Sequence, residues 1–441
     1  MRGKLVYGRD DPRIRFRSPT MGVRMLEEKL SSKAVPNMKT HRFRPVLMTC
    51  AKYLGSIGLL VLLGATPPAS PGNRKEAAKP LPELGAARGA LLAEAGRALV
   101  AGPFSVMDKK LVPPSGDKHD YMSTGPYWWP DPTKPNGLPY VRRDGERNPD
   151  HDTSQTDSHS FHAMLAAVQT LSLAFRERGD ERYAAYAAEL LRVWFVKPAT
   201  RMNPNLDYGQ GIAGRVAGRA AGIIETRGLA NLTTALEWLS RSKSWTEADQ
   251  QGLRAWLGQY LDWLLTSENG RKEASARNNH GSWYDVQVAA LALFVGKREL
   301  SHQVIDEAKK KRIASQIEPD GRQLFEIERT RSFSYCLFNL EALFDLAAVG
   351  DKVGVDLWHF QTSDGRSLRA ALDFLAPYVD ASRKWPYPQL HGVTLEDRLE
   401  LAALLRRAAL VYREPRYEAF LKVLPAKELG ANRMQILWPP A

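Results

Sequence analysis

From about Pro80 onward the chain repeats one pattern: apolar residues return every third or fourth position, in segment after segment. The segments run over 91–100, 161–175, 183–195, 222–239, 251–265, 285–294, 333–348, 368–378 and 395–411, while the alternation expected of strands is scarce. A helix with one apolar stripe must cover that stripe with a neighbour. Short polar turns such as Arg178-Gly179-Asp180-Glu181 and Gly296-Lys297-Arg298-Glu299 join several segments into hairpins. Hairpins repeated over residues 80–441 predict an all-α domain, an (α/α) toroid or incomplete barrel in which each pair buries a face against the next.

The residues before this domain have a different character. The net charge of +13 looks like a nucleic-acid signal until it is located: residues 1–66 hold 13 Lys and Arg against 4 Asp and Glu, leaving 49 against 45 for the rest. A body near neutrality has no broad basic surface for a phosphate backbone, so no nucleic-acid partner is expected, although a local basic cleft for an acidic polymer is compatible with it. From Met38 the charged residues Lys39, Arg42 and Arg44 precede the apolar run 53–65, followed by small residues and proline in 66–72. This is the pattern of a secretory signal, short for a spanning helix, and in preference to an uncleaved anchor it predicts a periplasmic or secreted protein with no lasting membrane insertion. Residues 1–37 lack apolar periodicity and precede the better-placed Met38, as a mis-assigned translation start or a disordered extension would. Cys50 falls in the signal, so Cys336 would be the single thiol of the mature chain.

Two stretches break the helical rhythm. Residues 112–157 contain prolines, aromatics and charges without a period, and so long a connection in a helical domain is usually functional. Tyr127, Trp128 and Trp129 could stack on sugar rings, or the tryptophans could plug the end of the array; Arg142, Arg143 and Arg147 could meet carboxylates. In the second break, 198–211, Asn203, Asn205 and Gln210 could line a cleft or simply cap helices.

Two motifs carry the chemistry: Arg277-Asn278-Asn279-His280-Gly281-Ser282-Trp283-Tyr284 and Arg329-Thr330-Arg331-Ser332-Phe333-Ser334-Tyr335. Together they hold an amide, an imidazole, a guanidinium and a phenol, the set needed to take a proton from a carbon beside a carboxylate. Abstracting the C5 proton of a uronic acid creates an enolate-like dianion, for which Asn279, His280 and a protonated Glu273 are suitable hydrogen-bond donors. Glu273 lies about two helical turns before His280 if that segment is helical. Tyrosine, with an ordinary pKa of about 10, needs a cationic neighbour to act as a base near neutrality, and Arg329 is the candidate for Tyr335. Tyr335 would then serve as base and acid in a syn elimination; for the opposite stereochemistry His280 would be the base and Tyr335 the acid. Plainer uses exist: a tyrosine in an apolar helix is commonly core, Asn-Asn-His can cap a helix, and Arg329 and Arg331 can form a solvated face.

These motifs resemble the alginate lyase superfamily of polysaccharide lyases, whose members share an Asn-His pair and a downstream Arg-Tyr pair. The resemblance runs from about Gly102 to the C-terminal region, through GPYWWPDPTKPNGLPYVRRDGERNP, TRMNPNLDYGQ, NNHGSWYD and ERTRSFSY. It implies Asn279 as carboxylate neutraliser, His280 as neutraliser or base, Arg329 as partner of tyrosine and substrate, and Tyr335 as base and acid. It also implies an (α/α) toroid, export, and an acidic polysaccharide as partner. The chain reads Asn-Asn-His-Gly-Ser-Trp where the best-known alginate lyases have Asn-Asn-His-Ser-Tyr-Trp, and is closer to a branch that includes glucuronan lyases, in which Glu273 matches an acidic position.

Two other readings compete. A glycoside hydrolase on a similar toroid would use a carboxylate pair such as Glu273 and Asp285, and a non-catalytic uronate binder would use the aromatic loop alone. His159 and His162, near Asp157, have the spacing of half a metal site, but a surface helix face explains them and no second ligand cluster follows. No phosphate-cradling loop, nucleophile elbow or dinucleotide fingerprint occurs, so neither a metal nor a cofactor is expected.

Overall fold

The computed structural model of the chain describes residues 82–440; the expectations for 1–37 and 38–72 fall outside the described residues. Sixteen helices follow in order: α1 (Pro82–Ala98), α2 (Ser158–Arg178), α3 (Glu181–Leu191), α4 (Gly228–Leu239), α5 (Glu247–Thr266), α6 (Glu268–Ala274), α7 (Asn279–Val295) and α8 (Arg298–Ala308). The short α9 (Ala314–Gln316) and α10 (Leu324–Ile327) lead to α11 (Ser332–Val353), α12 (Leu368–Leu375), α13 (Leu395–Tyr412), α14 (Pro415–Leu421), α15 (Ala426–Ala431) and α16 (Met434–Leu437).

Every apolar segment of the sequence became a helix, with local departures at the ends. The segment 183–195 finishes in a π turn at Arg192–Val196, 222–239 starts as a 3-10 turn at Ala220–Thr226, and 368–378 closes in one at Ala376–Val379. The hairpin turns form where polar residues and glycine interrupt the period. Gly179 adopts φ 68°, which ends α2, and Asp180 then caps α3 by accepting the N–H of Arg182. Capping boxes at Thr246 and Asp249 and at Thr394 and Asp397 start α5 and α13. Helix α8 carries little apolar period, because it buries only Ser301, Ile305 and Ala308.

The helices α2, α4, α7, α11 and α13 pack each on the next, with α3, α5, α8 and α14 laid against their outer sides. The C-terminal α15 and α16 pack on α1, which packs on α2, and Arg406 of α13 donates to Trp438 O at 3.2 Å, so the ring closes. This is the (α/α) toroid. Helix α11 is apolar and long enough to cross a membrane, but most of it is buried inside the protein as the centre of the core, together with the free thiol of Cys336.

The two breaks in the helical rhythm are joined to each other. Strand β1 (Met122–Thr124) in the first pairs in parallel with β4 (Tyr208–Gly211) in the second, and β2 (Trp128–Trp129) pairs antiparallel with β3 (Val141–Arg142). The two loops therefore form one folded flap. Its Gly145, at φ 78°, sits so close to the segment before α11 that a Cβ would lie 2.4 Å from Thr330 Oγ1.

Candidate active site

Helix α6 stops at Ala274, and Asn278 caps the start of α7 through its side chain, which accepts the N–H of His280 at 3.3 Å. Glu273 and His280 therefore meet across the corner between two helices, not along one helix as their spacing first implied. His280 Nδ1 lies 2.5 Å from Glu273 Oε1, with Glu273 buried and His280 partly open. A ring that donates Nδ1–H to a carboxylate keeps its lone pair on Nε2, so this contact sets both tautomer and orientation.

Asn279, 1% exposed, sits in the first turn of α7 beside Glu326 of α10. Its backbone N–H donates to Glu326 Oε1 at 2.6 Å and its amide to Oε2 at 2.7 Å, while its Oδ1 is buried without a partner. The partner Glu326, to which Asn279 is tied, carries no signal in the sequence. Burial pushes Glu326 up, against the opposing pull of Asn279, Arg329 and His280, to about 7.

Arg329 follows α10 and Tyr335 lies in the first turn of α11, the loop-into-helix arrangement their spacing favours. The guanidinium lies over the phenol ring, Cζ 4.0 Å from the centroid, and grips Asp144 of the flap with Nη2 to Oδ1 at 2.8 Å and Nε to Oδ2 at 3.1 Å. Burial opposes the charge of Asp144, but Arg329, Arg142 and the Thr330 hydroxyl outweigh it and hold the carboxyl at about 2. Tyr335 donates its hydroxyl to Tyr127 Oη at 2.8 Å. Burial, then Tyr127, pushes the Tyr335 phenol well above its ordinary value, and Arg329 only partly offsets this. Arg329 thus lies against Tyr335 as expected, with its N–H donors on Asp144 and its plane over the ring rather than on the phenol oxygen.

The flap supplies the opposite wall. Gln210, at φ 50° in β4, accepts Arg219 Nη2 on its side-chain oxygen at 2.6 Å, and Arg219 stands in the electrostatic field of Glu225 first, then Glu273 and Arg142. A non-glycine residue in that conformation is held there by its surroundings. Arg142 lies at the rim with Nη2 2.6 Å from Asp144 Oδ1. Trp128 neither plugs the array nor is buried: with Arg215 5.4 Å from its ring it lines a cavity of about 550 Å³ shared with Met122, Tyr140, Asn148 and Asp150. Trp129 is stapled into the flap by Arg143 over its ring and by donation to Glu146 O at 2.9 Å. Asn205 is not brought to the site; its amide donates to Asp120 and its oxygen accepts the N–H of Asp207, both within loop structure.

Asp285 is 2% exposed and receives Arg312 on both oxygens at 2.7 and 3.1 Å, which excludes the carboxylate pair a hydrolase would need there. His159 is exposed, as a surface helix face would have it, whereas His162 is half-buried and donates Nε2–H to Glu225 O at 2.9 Å, burial driving it down to about 3. Among the described residues no group of His, Cys, Asp and Glu is placed to hold a metal ion.

A helical toroid with an imidazole locked by a carboxylate, a neutral phenol and a fixed guanidinium beneath one flap defines a polysaccharide lyase. The sequence profile of the alginate lyase family matches residues 105–385. The crystal structure of an alginate lyase from Bacteroides ovatus is similar at 41% identity and a TM-score of 0.77, covering 81% of this chain and 94% of that one. The chain belongs to the alginate lyase family. A variant of alginate lyase A1-III complexed with a tetrasaccharide shares the fold at 15% identity and a TM-score of 0.51, again over 81% of this chain and 94% of the other. Among curated proteins no significant relative is found.

Proposed function

We propose that the protein cleaves (1→4)-linked uronate polymers of the alginate type by β-elimination, with the base and acid divided between two residues. The observation that carries this is the pairing of His280 Nδ1 with Glu273, which leaves Nε2 as the available base, while burial keeps the proton on Tyr335. Nε2 takes the C5 proton, the C5–H electron pair forms the C4=C5 bond, the C4–O bond breaks, and Tyr335 passes its proton to the leaving oxygen. The imidazolium then returns a proton to solvent and the phenolate regains one. Asn279, released from or shared with Glu326, and Arg219 neutralise the substrate carboxylate, while Arg329 steadies the transient phenolate through its contact with the ring. Gln210, Arg142 and Trp128 hold neighbouring sugars.

The alginate specificity rests on the Bacteroides ovatus protein, which is an alginate lyase, and glucuronan is the runner-up. Purified protein incubated with polyguluronate, polymannuronate and glucuronan should raise ultraviolet absorbance from the new double bond. Reducing ends without absorbance on every polymer would sink the reading. Export to the periplasm or beyond is part of the same proposal and rests on residues 38–72 of the sequence; N-terminal sequencing of the protein recovered from its host tests it.

A further inference from the structure

The cleft does not end at Tyr335. In the first three turns of α11, a helix otherwise buried, the positions that reach solvent are Ser334, Tyr335, Phe338 and Glu341. Steps of three residues place Tyr335, Phe338 and Glu341 along one side, so an open stripe runs inward from the phenol for about 9 Å at 1.5 Å per residue.

Arg227, just before α4, faces this stripe. Its Cζ lies 5.1 Å from the Phe338 ring centroid; Nη1 donates to Ile224 O at 3.2 Å, and Nε is buried without a partner. Two fully buried arginines show the usual arrangement: Arg312 is paired with Asp285 at 2.7 Å and Arg407 with Asp345 at 2.8 Å. Arg227 takes part in no ion pair, although an unpaired guanidinium at such depth is costly. The charges it senses are, from strongest to weakest, Glu341 of α11, Arg147, Glu225 and Glu400 of α13. Burial raises both Glu341 and Glu400 above the ordinary carboxyl range, Glu400 to about 8.

A planar cation without a partner, beside acids able to donate to hydroxyls, matches one sugar of an acidic chain. We propose that Arg227 receives the carboxylate of a second uronate, next along the chain from the sugar cleaved at His280 and Tyr335, with Glu341 and Glu400 bonding its hydroxyls. This rests on the uronate-cleaving reading above.

The test is kcat and KM for unsaturated-end release from oligouronates of increasing length, comparing the native protein with Arg227→Met. The expected result is a rise in KM that grows with length, reaching about ten- to hundred-fold once the second sugar is present, the size of a lost charged hydrogen bond. A loss equal at every length, or KM unchanged at all lengths, overturns the proposal. Should Arg227→Met not fold, Arg227→Lys keeps the charge and loses the fork, and the same length-graded loss is expected in smaller measure. Failure of the lyase reading is separable: if the native protein yields no unsaturated product, equilibrium binding of alginate to Tyr335→Phe with and without Arg227→Met still decides, weaker binding supporting the subsite and equal binding overturning it.

Discussion

Replacing Gly281 by alanine should both destabilise the protein and disable it, although the position lies in a helix, where alanine is normally the better residue by about 1 kcal/mol. A Cβ at 281 would lie 2.1 Å from the carbonyl oxygen of Ala276 and 2.3 Å from Arg312 Nη1. The carbonyl belongs to the backbone and cannot swing aside. The guanidinium is held by Asp285 at 2.7 and 3.1 Å, by Ala276 O at 2.5 Å and by Ala274 O at 3.0 Å. Displacing it breaks a buried ion pair, a loss of about 3–5 kcal/mol, with about 1–3 kcal/mol more for forced packing. Even after the gain in helix propensity, the net destabilisation is at least about 3 kcal/mol. Ala274 and Ala276 flank the corner that brings Glu273 to His280, so the same shift misplaces the base, and a displacement of about 1 Å can cost 10²-fold in rate. Urea melts and kcat/KM on alginate measure the two effects, with Gly258→Ala in α5 as control, since nothing lies within 4 Å of a Cβ there. Native stability and activity in Gly281→Ala would refute the packing argument.

Other predictions concern proton positions. Because the pKa of Glu326 rises from 4.5 to about 7 on folding, the folded state binds more protons between those values. That stability is full below about pH 4.5 and is lost as pH rises through 7, by roughly 3 kcal/mol. Glu326→Gln should remove this slope, so its denaturant midpoint should gain on the native protein between pH 4.5 and 7; parallel curves would show that Glu326 is ionised throughout. Tyr127→Phe removes the neighbour that raises the Tyr335 phenol, so the alkaline limb of the kcat/KM profile should move to lower pH, and an unmoved limb would exclude Tyr335 as the acid. Glu273→Gln should leave the fold intact and lower kcat by roughly a hundredfold or more through loss of imidazole orientation, and a near-native kcat would remove His280 from the base role.

The helical body was legible in the sequence because burial of one stripe leaves a local record at every third or fourth residue. Contacts between distant segments leave none. Nothing in MST at 122–124 announces its pairing with YGQG at 208–211, and nothing in Asp144 points to Arg329 across 185 positions. Glu326 and Glu328 look alike in LFEIERT; only the fold separates the first, buried against Asn279, from the second, which is exposed.

The proximity of Arg329 to Tyr335 was likewise legible, but its consequence depended on competition for the cation. With Asp144 holding the guanidinium and Tyr127 accepting the hydrogen bond of the hydroxyl, the division proposed above makes Tyr335 the acid and His280 the base. That division has a stereochemical consequence. In α-L-guluronate the C5 hydrogen and the C4 oxygen lie on opposite sides of the ring, so a base and an acid on two different residues can serve both at once. In β-D-mannuronate and β-D-glucuronate they lie on one side, and a single Tyr335 would have to lose its proton before it could take another. On the proposed division, polyguluronate should be cleaved faster than polymannuronate, and mannuronate should gain relative to it as pH rises toward ionisation of Tyr335. Equal rates on the two polymers at every pH would show that substrate binding reorganises the Tyr127–Tyr335 contact before chemistry begins.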